Sequence, residues 1–189
     1  MASPKIQDEE LLQKLTGVFQ TYGYEGASLS RIAEVTGLQR ASLYHRFPGG
    51  KEEMAEAVLA RVDERFASHV LAPLSGSGTP VQRVKRMAER LSEFFGGGQC
   101  SCVLDSLSFD TKYHALKDHV AESMEAWMGA MAKVSQDAGL PKKTARLRAE
   151  DALGRIQGAL VIARGTDDRG PFERMIKELP ALLTTKSSS

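Results

Sequence analysis

A chain of 189 residues with 42% apolar and 26% charged residues can bury one sizeable core, or a small module beside a larger domain. That composition excludes wholesale disorder. The formal net charge of +1 excludes binding nucleic acid through bulk basicity and leaves only a local basic surface for that purpose. No apolar run reaches the roughly 20 residues of a membrane-spanning helix, and Met1 to Asp8 lacks the apolar core of a signal peptide, so a cytoplasmic protein with no membrane partner is expected.

Leu11, Leu12, Leu15, Val18, Phe19 and Tyr22 recur at helical spacing and predict a first helix ended by Gly23. Ser28 is a suitable N-cap for a short second helix carrying Leu29, Ile32 and Ala33, and Gly37 suits the left-handed residue that closes it. A third helix over about 39–47 places Leu43 and Phe47 on one side, toward the first two helices. Its outward arc carries Ala41, Ser42, Tyr44 and His45, with Arg40 in the first turn. From Thr36 to Lys51 there is no acidic residue, and Arg40, His45, Arg46 and Lys51 make a local positive patch. Pro48, Gly49 and Gly50 break the chain before a long fourth helix.

The stretch Leu71 to Thr79, rich in Pro, Ser and Gly, predicts a loop. Thr79, Pro80 and Gln82 combine a capping box with proline at the first helical position and start a fifth helix, which Gly96, Gly97 and Gly98 stop. The stretch from Cys102 to Phe109 is ambiguous. Three further helices follow, one through Tyr113 to Val134, one through Leu147 to Ala163, and a last one through Phe172 to Leu183 that Pro180 kinks or frays. Thr184 to Ser189 is a polar tail, expected to be disordered over 185–189. No strand pattern appears, so the class is all-α with about nine helices.

Two short helices joined by a tight glycine turn, the second bearing polar and basic residues outward, match the DNA-reading helix-turn-helix, although helical hairpins also occur in proteins that touch no DNA. The residues from Leu29 to Lys51 resemble the tetracycline-repressor (TetR) family. The resemblance lies in Ile32 and Ala33 on the second helix, Gly37 and Leu38 in the turn, Leu43, Tyr44 and Phe47 on the third helix, and Lys51 opening the fourth. It implies that Arg40 and Ala41 approach base edges, and that Ser42, Tyr44, His45 and Lys51 hold phosphates of a double-stranded DNA operator. Ser28 and Ser30 are further phosphate candidates, Ser28 serving equally as a cap alone. Two departures stand out: Ala41 occupies a position where many members carry glycine, and one extra residue separates Phe47 from Lys51. This Phe-Pro-Gly-Gly-Lys form resembles the lincomycin- and flavonoid-responsive subgroup.

The resemblance further implies a DNA-binding domain over 1–51, a ligand-binding and dimerisation domain over 52–184, and a ligand-responsive repressor released by a small apolar or aromatic inducer. An activator, an inducer-independent binder and a small all-α carrier or enzyme are the alternatives. Met87, Leu91, Phe95, Met124, Trp127, Met128 and Met131 line a ligand pocket or form ordinary core. Leu153, Gly154, Gly158, Leu160, Ile176 and Leu179 are the candidate homodimer contacts, with the glycine pair serving either a partner helix or internal packing. Cys100 and Cys102 are too close to staple a loop and read as structural thiols, with redox sensing or soft-metal binding as the alternative. Asp110 and His114 have two-point metal spacing, with His119 nearby, but no metal, cofactor or catalytic residue is expected. HExxH, nucleophile-elbow and Walker motifs are absent, and Glu52 stands where a Walker loop needs Ser or Thr.

Overall fold

The computed structural model describes residues 8–108 and 114–186, which are helical with no strand among them. The helices are α1 (Asp8–Gly26), α2 (Leu29–Thr36), α3 (Arg40–Arg46), α4 (Gly50–Arg65), α5 (Pro80–Phe94), α6 (Val103–Ser108), α7 (His114–Asp137), α8 (Lys142–Thr166) and α9 (Gly170–Thr184). Packing divides the chain into two compact units. One takes the residues up to Asp63 together with Cys102–Ala121, and the other takes Glu64–Ser101 together with Glu122–Ser189. The expected boundary at Lys51 falls inside the first of these units.

In the first unit α1 packs against α2 and α6, and α2 against α3. Leu11, Leu15, Val18 and Phe19 are buried as their spacing predicts, but Tyr22 is not: its ring is 44% exposed and lies under the Arg31 guanidinium, 4.0 Å from the ring centroid. Beyond Tyr22, Gly23, with φ of 64° and ψ of −176°, interrupts the helix without ending it, and Tyr24 is buried, stacked on Phe19. Ser28 caps α2 by accepting from the Arg31 amide at 3.3 Å, and left-handed Gly37 closes it. Glu9 reaches across to the Arg61 guanidinium on α4, and Asp63 pairs with His119 at 2.7 Å.

In the second unit α9 packs against both α5 and α8. The core includes Phe66, Met87, Leu91, Phe95, Trp127, Ile156, Phe172 and Leu179. Thr79 accepts from the Gln82 amide, and the Gln82 side chain accepts in return from the Thr79 amide, completing the capping box of α5. The loop expected at Leu71–Thr79 is largely helical instead. Beyond α4 the chain winds through a π-helical turn, Phe66–Leu71, and a 3-10 turn, Ala72–Ser75, before the bends at Gly76 to Gly78. Burial of Phe66, Val70 and Leu74 holds these turns against the breaking tendency of Pro73 and Ser75. The ambiguous stretch contains α6, and α9 continues through Pro180 to Thr184 rather than fraying, with Leu179, Leu182 and Leu183 buried on either side of the proline. Phe109, Asp110, Tyr113 and residues 187–189 lie outside the described residues, and with them the Asp110–His114 pair and most of the expected tail.

Candidate nucleic-acid interface and apolar pocket

The helix-turn-helix displays its polar residues as the periodicity predicts. Leu43 is fully buried and anchors α3, while Arg40, Ala41, Tyr44 and His45 are exposed and Ser42 is half-buried. No acidic residue occurs in either end turn of α3.

Around Tyr44 the chain forms an open cleft of about 450 Å³, lined by Ser28 and Leu29 at the start of α2, Tyr44 on α3, and the run from Pro48 to Glu52. Gly50 makes this shape possible, because its φ of 68° is left-handed and an added Cβ would stand 3.4 Å from the Tyr44 ring. The extra residue before Lys51 is absorbed in this turn, where the Gly50 amide donates to the Phe47 carbonyl at 2.8 Å and the Gly49 amide to the Glu53 carboxylate at 2.7 Å. Lys51 donates to the Tyr24 carbonyl at 2.8 Å, and its ammonium sits 4.2 Å from the centre of the Tyr24 ring. An ammonium has three donors, so this anchor holds the charge at the cleft wall with donors to spare.

The three arginines of the module differ in their partners. Arg31 donates to the Gly26 carbonyl at 2.7 Å, and Arg46 pairs with Asp8 at 3.3 Å. Arg40 instead donates to the Ser30 hydroxyl, a neutral group, and among the described residues no carboxylate pairs with it.

The second unit holds a pocket of a different kind. Phe66, Leu71, Met87, Leu91, Trp127, Met131, Leu153 and Ile156 enclose about 10 Å³, less than a water molecule's share of liquid volume. Trp127 and Phe66 stack with ring centroids 3.6 Å apart and an interplanar angle of 11°. Four of the seven expected ligand residues, Met87, Leu91, Trp127 and Met131, therefore converge. Phe95 is buried outside this lining, and Met124 and Met128 are half-buried. Phe66 and Leu71 complete the lining, although the sequence marks Phe66 only as an apolar position of the fourth helix and Leu71 as the start of a loop.

The candidate dimer residues divide sharply. Leu153, Leu160 and Leu179 are buried within the chain's own core and Ile176 is half-buried, whereas Gly154 and Gly158 are exposed. The leucines turn inward because α8 and α9 spend their apolar stripes on packing within the unit. Leu147, at the start of the apolar stripe of this helix, is more than half exposed, as are Val161 and Ile162. An added Cβ at Gly154 or Gly158 would meet nothing within 4 Å, so internal packing does not account for either glycine. A shallow groove beside Leu147, Asp151, Gly154 and Arg155 lies along the same face. Cys100 is exposed and Cys102 buried, and among the described residues no group of His, Cys, Asp and Glu is arranged to hold a metal. No described helix is long and apolar enough to cross a membrane.

Residues 11–58 match the model of the bacterial regulatory proteins of the tetR family. That match spans the helix-turn-helix and the start of α4. The chain is 23% identical to the HTH-type transcriptional regulator LmrA of Bacillus subtilis (strain 168), over 93% of this chain and 95% of that one. Its fold is that of a TetR transcriptional regulator from Legionella pneumophila, with a TM-score of 0.84 at 17% identity, covering 95% of this chain and 99% of that one. It also resembles the TetR family regulator CifR, in a cysteine mutant complexed with a 26bp double-strand operator, with a TM-score of 0.75 at 21% identity over 96% and 98% of the two chains. The relatives matched are named as transcriptional regulators, not as enzymes.

Proposed function

We propose that this chain is a cytoplasmic repressor that binds a palindromic DNA operator as a homodimer and lets go of it when a small apolar or aromatic inducer binds the second unit. The observation that carries the DNA reading is the open cleft beside an exposed third helix, where Ser28, Tyr44 and Lys51 meet with no acidic residue on α3. Ser42, Tyr44, His45 and Lys51 are its phosphate ligands, with Ser28 adding a contact beyond its cap. Arg40 and Ala41 approach base edges, since arginine reads guanine at two points while hydroxyls and ammonium suit phosphate oxygens. The lincomycin- and flavonoid-responsive subgroup is read from the Phe-Pro-Gly-Gly-Lys form of Phe47 to Lys51.

The homodimer reading rests on the exposed face of α8, where Leu147, Val161 and Ile162 flank two glycines that the chain's own packing does not need. Gly158→Glu is expected to give a folded monomer that has lost operator affinity. The inducer reading rests on the apolar lining around Trp127, the single tryptophan of the chain. Footprinting the purified protein on DNA around its own gene tests the whole proposal. Protection of two symmetric half-sites is expected, and addition of the inducer should abolish it over the same concentration range that quenches Trp127 emission, because binding and release are thermodynamically linked. Quenching without release contradicts the inducer reading, and absence of any protected site contradicts the operator reading.

A further inference from the structure

Ser30 lies in the first turn of α2 and Arg40 in the first turn of α3, ten residues apart in sequence and on opposite sides of the glycine turn. Both are exposed, and the Arg40 Nη2 donates to the Ser30 Oγ. We propose that Ser30 is a positioning residue that aims the Arg40 guanidinium at a guanine edge in the major groove, rather than a phosphate ligand in its own right. This rests on the DNA-binding reading above.

The chemistry favours such a division of labour. A guanidinium carries five N–H donors in a fixed plane, and each Nη carries two. Ser30 takes one hydrogen of Nη2. The second hydrogen of Nη2 and both of Nη1 are not used by that bond, and they are enough for a two-point contact with guanine O6 and N7. A free arginine on a helix surface samples many rotamers, and fixing it on binding costs entropy. A tether to a neighbouring helix removes part of that cost in advance. A neutral hydroxyl does this without offsetting the charge, whereas the carboxylate that holds Arg46 and the carbonyl that holds Arg31 keep those two arginines for the fold. Ser30 is also not the cap of α2, a role filled by Ser28, so removing its hydroxyl leaves the helix start intact.

Affinities would be measured for wild type, Ser30→Ala, Ser30→Thr, Arg40→Ala and the double variant. The duplexes are the fragment protected in the footprint and a random-sequence duplex of equal length, both at one salt concentration. Ser30→Ala should lower the preference for the protected fragment over the random duplex by about three- to tenfold, the scale of one hydrogen bond to a charged group partly offset by water. Affinity for the random duplex should stay unchanged. Ser30→Thr, which keeps the hydroxyl, should restore the preference, and in the Arg40→Ala background loss of Ser30 should change nothing further. Equal losses on both duplexes, or an undiminished loss in the Arg40→Ala background, would show a direct phosphate contact and overturn the proposal. If wild type itself shows no preference for any fragment, the operator reading has failed instead.

Discussion

The open cleft at Tyr44 and the closed pocket at Trp127 are built on opposite plans. The first encloses about 450 Å³ between helix ends and a glycine turn, with a lysine anchored on its wall. The second encloses about 10 Å³ among apolar side chains, with an aromatic stack occupying the space a ligand would need. A polyanion can settle on a surface that is already shaped, whereas an apolar ligand must displace protein contacts before it makes its own. The difference lies in what each region does with its strongest groups: the cleft presents them to solvent, and the pocket satisfies them internally.

The largest effect that tests this contrast is expected at Phe66. Phe66→Ala should lower the unfolding free energy in urea by about 3–5 kcal/mol, as for other buried aromatic truncations. It should also create a void beside Trp127 that indole fills and that restores part of the loss. A loss below about 1 kcal/mol would show that the stack does not fill the pocket. In the cleft region the effects should fall on binding rather than stability. Arg40→Ala should reduce discrimination between operator and non-operator DNA by about 1–3 kcal/mol. Tyr44→Ala should weaken both kinds of DNA alike, and a uniform loss for Arg40→Ala in filter binding would contradict its role as a base reader.

A smaller effect is expected at Asp137, which joins the two helices carrying much of the pocket lining. Lys133 and then Arg83 hold its carboxyl below the ordinary carboxylate range through hydrogen bonds, Arg83 at 3.0 Å from across α5. A depressed acid stabilises the fold above its unfolded value and loses that contribution as pH falls through the folded value. Asp137→Asn should therefore melt lower than wild type at pH 7, and the gap should close as the pH is taken below about 4. A gap that persists in acid would mean that packing, not charge, is responsible. Exposure of the Lys133 partner keeps the effect small.

Much of the first unit was legible because its signals are local. Ser28, Gly37, and Leu43 with the exposed arc around it each declare their role within one turn of helix. The Thr79 capping box was legible for the same reason. What escaped depends on three-dimensional partners. The link between Ser30 and Arg40 and the anchor of Lys51 on Tyr24, 27 residues away, leave no mark in the spacing. An apolar stripe shows that a helix buries one face but not against what: Leu153, Leu160 and Leu179 fit a partner's surface by period and are buried in the chain's own core. Tyr22 and Leu147 fit apolar stripes by period alone, yet both stand exposed.

Gly154 and Gly158 carry a consequence for how the chain responds to dilution. Each glycine weakens a helix interior by about 1 kcal/mol relative to alanine, and in α8 a Cβ at either position would meet nothing within 4 Å. A protein that keeps such residues for a neighbouring copy has a melting temperature that climbs with its own concentration, because assembly then supplies part of the stability by mass action. Alanine at both positions should raise the melting temperature of the dilute protein and flatten that climb, separating the needs of the single chain from those of a pair.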